Sequence, residues 1–265
     1  MYNSFQLAQK YLRYYFTALN GKGHGMHSPF IFDLIIKVLN DKKAYPAYKV
    51  VENLRKRLLN DNNEIEVEDF GAGSAIDKTS KRKISSIARN AAKPKKYGQL
   101  LHRLVHYYHP QNILELGTSL GITSSYLATA NADSSVTTME GSSSVLSISK
   151  KNFQTLQLKN INTIEGNFDL TLKAVLEKMR AVDFAFLDGN HREEPTTRYF
   201  NLIADKINND SIIVVDDIHW SEGMEAAWEA IKKHPSVKCS VDLFFIGIVF
   251  FREEFYEKQH FMIRF

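Results

Sequence analysis

The stretch Ile113-Leu114-Glu115-Leu116-Gly117-Thr118-Ser119-Leu120-Gly121 decides how this chain folds. Three apolar residues, Ile113, Leu114 and Leu116, interrupted only by Glu115, run into a turn with glycines at 117 and 121. A helix is expected to follow, with Ser119 to Thr123 supplying caps for its first free N–H groups. Backbone without side chains can approach a ligand closely at such a turn. A second strand, Val136 to Met139, ends in Glu140-Gly141, which lies 25 residues after Glu115. A carboxylate at that strand end is placed to accept both hydroxyls of a ribose. The two linked features together point to a nucleoside-cofactor site.

Glycine spacing separates the cofactor classes. The dinucleotide fingerprint G-x-G-x-x-G needs its second glycine so that backbone can reach a pyrophosphate, and here that position is Ser119. S-adenosylmethionine has no pyrophosphate, and its amino-acid end suits an acidic residue before the first glycine, where Glu115 stands. The pattern E-x-G-x-x-x-G therefore favours that cofactor over NAD.

The chain has 265 residues, 44% hydrophobic and 24% charged, which are ordinary proportions for a folded globular protein. Cys239 is the only cysteine, so an internal disulfide and a zinc cluster built of thiolates are excluded. The amino terminus shows no basic-then-apolar signal segment, and the longest apolar run, Leu243 to Phe251, is far short of the ~20 residues of a membrane span. A cytoplasmic protein with no membrane partner is the resulting expectation. Net charge is +4, too small to name a partner. Its distribution is uneven: Lys78, Lys81, Arg82, Lys83, Arg89, Lys93, Lys95 and Lys96 occupy a stretch with no acidic residue. Such a run contacts RNA phosphates or an anionic substrate, or else is a solvated helix face.

Residues 1–92 read as a helical extension, a lid, a substrate wall or a dimer arm, with apolar residues at helical spacing over Phe5 to Leu19, Phe30 to Leu39 and Val50 to Leu59. Gly21-Lys22-Gly23-His24-Gly25 separates the first two, and Ser28-Pro29 is a helix start. From 93 to 265 strands alternate with helices: Ile113 to Leu116, Val136 to Met139, Asn162 to Ile164, Val182 to Leu187 and Ile212 to Val215. That alternation predicts an α/β domain with a doubly wound, mainly parallel sheet. Val237 to Phe244 and Ile246 to Phe251 follow each other too closely for a crossover helix and should pair antiparallel, giving seven strands, with His260 to Phe265 a candidate further edge strand. The apolar Leu243 to Phe251 segment is either an edge that joins a second subunit in a homodimer or a buried strand. A second acidic-glycine stretch, Val67-Glu68-Asp69-Phe70-Gly71-Ala72-Gly73-Ser74, lacks an apolar strand before it and reads as a loop beside the active site.

In open parallel sheets ligands bind beyond the carboxyl ends of the strands. The fourth of these strands ends Leu187-Asp188-Gly189-Asn190-His191 and the fifth ends Val215-Asp216-Asp217-Ile218-His219. Three carboxylates and two imidazoles at neighbouring strand ends repel or compete unless a cation compensates them.

Tyr97-Gly98-Gln99, Leu114 to Gly121, Glu140, Asp188 and Asp216-Asp217, taken in order, resemble the class I S-adenosylmethionine-dependent methyltransferases. Within them the set looks most like the catechol and caffeoyl-coenzyme A O-methyltransferase type, over residues 93–235. The resemblance implies a Rossmann-like methyltransferase sheet. It implies that Glu115, Gly117 and the backbone of Thr118, Ser119 and Gly121 hold the methionine end, that Glu140 and Gly141 hold the ribose, and that Gly166, Asn167 and Asp188 complete the cofactor site. Asp188, Asp216 and Asp217 would match the family's divalent-metal ligands, with Mg²⁺ the natural candidate for hard oxygen donors. The family's third ligand is usually Asn, so Asp217 is a departure. Asp188, His191 and His219 are the candidate catalytic groups, either histidine being a general base near neutral pH. His24, His27, Tyr45 and Phe70 are candidates to line the acceptor pocket, or simply core.

Three functions stay open at this level. The first is O-methylation of a small-molecule hydroxyl, metal-assisted if the aspartates coordinate. The second is RNA methylation using the basic 78–96 stretch, with a steep salt dependence. The third is a non-catalytic cofactor-binding protein. A nicotinamide oxidoreductase shares the fold class, but Ser119 counts against it.

Overall fold

The computed structural model describes residues 1–68 and 81–265. In chain order its elements are α1 (Ser4–Thr17), α2 (Pro29–Leu34) continuing into a π-helical turn (Ile35–Leu39), α3 (Pro46–Leu59), β1 (Glu64–Glu66), β2 (Lys81–Lys83), α4 (Ile84–Asn90), α5 (Lys95–Tyr108), β3 (Asn112–Leu116), α6 (Ile122–Ala130), β4 (Ser135–Glu140), α7 (Ser143–Thr155), β5 (Ile161–Glu165), α8 (Phe168–Lys178), β6 (Phe184–Leu187), α9 (Glu193–Ala204), β7 (Ile212–Asp216), α10 (Glu222–Lys233), β8 (Cys239–Asp242), β9 (Ile246–Phe250) and β10 (Gln259–Met262). The chain packs as two compact units, one of residues 42–173 and one of residues 1–41 with 174–265. Residues 1–92, which the sequence presents as one extension, are thus shared between them.

In the central unit β3 and β5 flank β4, both parallel to it, with Glu115 beside Thr138 and Glu140 beside Glu165. Ser135–Glu140 carries four β-branched or sulfur side chains in buried positions, as a strand covered on both faces requires. Val51, Leu54 and Leu58 of α3, Ile84, Ile87 and Ala88 of α4, and Leu120, Ile122 and Tyr126 around α6 form one apolar cluster. The glycine turn therefore rests on a packed core. β1 and β2 form an antiparallel ribbon, Glu64 opposite Lys83 and Glu66 opposite Lys81. The basic strand β2 is not legible in sequence, because the run of like charges hides the alternation.

In the other unit the order is β10-β8-β9-β7-β6. β6 and β7 are parallel, β9 is antiparallel to both β7 and β8, and β10 is parallel to β8. With β3, β4 and β5 counted this gives eight strands where seven were expected, and β10 supplies the difference. All five residues of β9 are buried between β7 and β8, so the apolar segment is a sheet strand and not an exposed edge. Its Gly247 is required by contact: a Cβ there would sit 2.5 Å from the Trp228 ring of α10. α10 begins at Ser221, whose hydroxyl accepts the Met224 amide, and it carries Glu222 and Glu225 in its first turn and Lys232 and Lys233 in its last. Among the described residues no helix is long and apolar enough to cross a membrane.

Candidate active site

The glycine turn of the central unit is held by its own backbone. The amides of Gly117 and Thr118 both donate to the carbonyl of Met139, at 3.0 and 3.1 Å, and that of Gly121 donates to the Thr118 carbonyl. Three residues of the turn lie in the left-handed region, Gly117 (φ 106°), Ser119 (φ 46°) and Gly121 (φ 80°). Gly121 has no alternative, since a Cβ would meet the Phe153 ring at 2.4 Å. Ser119 occupies the position where the dinucleotide pattern has its second glycine and adopts a glycine-like conformation. The expected side-chain cap is not found. α6 begins at Ile122 with Gly121 as its N-cap and no side-chain capping bond, so the first turn of the helix keeps its N–H groups for other partners.

Glu140 closes this turn from the end of β4. Its Oε2 accepts the amide of Ser119 at 2.9 Å and its Oε1 accepts the amide of Ser142 at 3.0 Å. The two backbone donors fix the orientation of the carboxylate. Gly166 (φ 131°) donates its amide to the Glu140 carbonyl. Asn167 caps α8, its Oδ1 accepting the Asp169 amide at 2.9 Å. Glu66 and Glu68 approach the same region: Ser144 donates to the Glu66 carbonyl, and the Glu68 amide donates to the Ser142 hydroxyl at 3.4 Å. The acidic-glycine loop beyond Glu68, with Phe70, and Lys78 of the basic stretch lie outside the described residues.

Glu115 is fully buried. Its Oε2 accepts hydroxyls from Ser124 and from Thr138, the latter at 2.6 Å, while Oε1 has no hydrogen-bond partner. Thr118 lies 2.6 Å from the Thr138 hydroxyl. Since Thr138 donates its proton to Glu115, Thr118 must donate to Thr138. Burial pushes the Glu115 carboxyl up to about 7, against the lowering effect of the Ser124 and Thr138 hydroxyls. Glu115 thus anchors a hydroxyl chain beneath the turn. Ser124 and Thr138 carry no motif of their own, which is why sequence gives no sign of them.

In the other unit Asp188 follows β6 and Asp216 ends β7. One ligand atom each from Asp188, His191 and Asp216 lie within 4.8 Å of one another. His191 Nε2 faces Asp188 Oδ1 at 3.6 Å, and its Nδ1 faces Asp217 Oδ2 at 4.0 Å. Two residues here are left-handed without being glycine, Asn190 (φ 69°) and Asp217 (φ 52°), the kind of local strain that clusters at functional sites. Asn190 is fixed by Arg192, at 2.6 Å, and by the Tyr199 hydroxyl. Asp217 is fixed by its amide donating to the Phe245 carbonyl at 2.7 Å. The three-residue group contains Asp216 and His191 but not Asp217.

His219 is occupied elsewhere. Its Nδ1 contacts Glu225 Oε1 at 2.9 Å and its Nε2 contacts Asp242 Oδ2 at 2.8 Å, while its ring stacks on Phe244. Glu225 also accepts the Tyr2 hydroxyl and the Lys10 ammonium. Burial alone would lower the His219 pKa, but the hydrogen bonds and charges of Asp242 and Glu225 outweigh it and raise the pKa. With both nitrogens committed to carboxylates, His219 has no free site for a substrate proton. Tyr45 packs on Tyr48, His102 and His106 within the central unit, which is a core role, whereas His24 and His27 are exposed.

Residues 114–218 match the sequence profile of a family described as "Methyltransferase domain". This segment is similar to methyltransferase domains. It contains Glu115, the glycine turn, Glu140, Gly166, Asn167, Asp188, His191, Asp216 and Asp217. No curated protein matches the chain closely enough in sequence to count as a relative. Solved structures match it in fold. An O-methyltransferase from Bacillus cereus in complex with SAH shares 19% identity over 79% of this chain and 92% of its own, with a TM-score of 0.54. The O-methyltransferase TomG from Streptomyces achromogenes, in complex with SAM, shares 17% over 83% and 95%, with a TM-score of 0.55. The SAH-bound Podospora anserina methyltransferase PaMTH1 shares 16% over 85% and 97%, with a TM-score of 0.57. The chain therefore has the α/β fold of S-adenosylmethionine-dependent O-methyltransferases.

Proposed function

We propose that the chain transfers the methyl group of S-adenosylmethionine to a hydroxyl oxygen of a small molecule. The observation that carries the cofactor assignment is the Glu140 carboxylate, held at the end of β4 against the glycine turn by the amides of Ser119 and Ser142. In the transfer the acceptor oxygen bonds to the methyl carbon, the carbon–sulfur bond breaks, S-adenosylhomocysteine leaves, and the hydroxyl proton is lost. The sulfonium is already activated, so the protein's task is to bring the oxygen in line at close range. The turn over Gly117 to Gly121 with Gly141, Gly166 and Asn167 would hold the cofactor. Asp188 and His191 are the groups available to take the proton, since His219 is committed to Glu225 and Asp242.

The donor set at Asp188 and Asp216 fits a divalent cation: two carboxylates, one of them fully buried, with a third donor within 4.8 Å. When bound, such a cation would lower the pKa of the acceptor hydroxyl and fix its position. RNA as acceptor is less well supported, because Lys81 and Lys83 lie in register opposite Glu66 and Glu64, which offsets part of the positive charge of the basic stretch.

The test is calorimetric titration with S-adenosylhomocysteine, with NAD⁺ as control ligand, in buffers with Mg²⁺ and with chelator. Micromolar binding of S-adenosylhomocysteine without NAD⁺ binding is expected. A Glu140→Ala protein that binds as well as the parent would remove the assignment. Methyl transfer to catechol-like acceptors that stops in chelator and ignores salt would support a metal-assisted small-molecule enzyme over the RNA reading.

A further inference from the structure

We propose that the cation site is completed by His191, with Asp217 standing behind the imidazole, and that it selects a first-row transition dication over Mg²⁺. The inference rests on the metal-assisted reading above and reassigns His191 from proton acceptor to ligand. Three observations carry it. First, the three groups whose donor atoms converge are Asp188, Asp216 and His191. Second, His191 Nε2 and Asp188 Oδ1 face each other at 3.6 Å, too far for a hydrogen bond. Two donors each about 2.1 Å from a shared ion, at an angle of roughly 90–110°, stand about 3–3.5 Å apart, so the spacing is close to that of two ligands. Third, the other ring nitrogen lies 4.0 Å from Asp217 Oδ2, longer than a hydrogen bond but near enough for the carboxylate charge to favour a proton on that nitrogen and leave Nε2 as the ligand. A ligating histidine commonly directs its second N–H at a carboxylate, which fixes the tautomer and makes the ligating nitrogen more basic.

The backbone supports the same division of labour. Asp217 is left-handed where Asp216 ends β7 in regular strand, and the left-handed turn at Asn190, pinned by Arg192 and Tyr199, sets where His191 follows. Mg²⁺ and Ca²⁺ take oxygen donors, whereas imidazole suits Zn²⁺, Fe²⁺, Co²⁺ and Ni²⁺. Two carboxylates and one imidazole therefore favour the second group.

The experiment uses the full chain stripped of metal and titrated with Co²⁺, read by calorimetry, by its visible absorption and by proton NMR, with Mg²⁺ titrated in parallel. Most protein sites prefer Co²⁺ to Mg²⁺, so dependence on the two side chains decides the matter. His191→Ala is expected to weaken Co²⁺ at least tenfold and change its spectrum, while altering Mg²⁺ affinity less than threefold. Asp217→Asn is expected to weaken Co²⁺ by about tenfold. The Co²⁺ protein should show a hyperfine-shifted exchangeable proton, from His191 Nδ1–H, that is lost in D₂O and in His191→Ala. S-adenosylhomocysteine binding by each variant serves as the check on folding. Co²⁺ affinity and spectrum unchanged in His191→Ala would overturn the inference alone. Absence of binding by either ion, with S-adenosylhomocysteine binding intact, would overturn the metal-assisted reading together with it.

Discussion

The amide of Ser119 donates to Oε2 of Glu140 at 2.9 Å, so the glycine turn and the end of β4 are fixed to each other before any ligand arrives. One consequence is that Glu140 has two separable roles. Glu140→Gln keeps one acceptor but loses the charge and places an NH₂ against one of two backbone donors. It should cost about 1–3 kcal/mol of folding stability in urea unfolding. Calorimetry should show S-adenosylhomocysteine binding weakened by about 10- to 100-fold. A variant with lowered stability and unchanged affinity would mean that the carboxylate only braces the turn.

Glu115 makes the fold sensitive to pH. Its carboxyl is pushed up by burial to about 7 from 4.5, so the folded chain holds that proton more tightly than the unfolded one. Stability from this group is greatest below about pH 4.5, declines as pH rises, and is fully lost above about 7, with a total change of about 3 kcal/mol. Urea unfolding between pH 5 and 8 should show this decline. Glu115→Gln keeps an oxygen for Ser124 and Thr138 and should flatten that part of the profile. An unchanged profile in the variant would assign the pH dependence elsewhere.

The parts of the site legible in sequence are those set by local periodicity. Strand, glycine turn and helix around Gly117 to Gly121, and the strand end at Glu140, each follow from neighbours within a few residues. The partners of buried polar groups are not legible in that way. Thr138 reaches Glu115 because β3 and β4 pair in one particular register, and Tyr2 and Lys10 reach Glu225 through tertiary packing alone. Asp216 and Asp217 look alike as letters. A single left-handed residue gives them different surroundings, and nothing in an Asp-Asp pair announces which of the two will twist.

Gly247 is a packing requirement with a sharp test. A Cβ there would lie 2.5 to 2.8 Å from three carbons of the Trp228 ring, and both residues are enclosed, Trp228 at 1% exposure. Neither β9, paired on both sides, nor the indole has room to move. Gly247→Ala should therefore destabilise by roughly 1–3 kcal/mol through overpacking. Urea unfolding followed by tryptophan fluorescence measures it, and a blue or red shift of the folded spectrum would report displacement of the ring. A stability within 0.5 kcal/mol of the parent would show that the strand relaxes.

His219 joins distant parts of its unit through one charge. Its ring lies between Glu225 and Asp242, and Glu225 in turn binds Tyr2 and Lys10 of the amino-terminal segment. Removing the imidazole leaves Asp242 without that partner and Glu225 with Lys10, which in a partly buried setting should cost about 2–4 kcal/mol. The sign of the pH effect follows from the raised pKa. The contribution is fully present below about pH 6.5 and is lost as pH rises through the higher value of the folded state. His219→Gln, which can donate to one carboxylate but carries no charge, should recover only part of the loss and should not restore the pH dependence. If His219→Ala were instead as stable as the parent at pH 6 but inactive, the histidine would be a catalytic group rather than a brace, and the proton path through Asp188 and His191 would need to be redrawn.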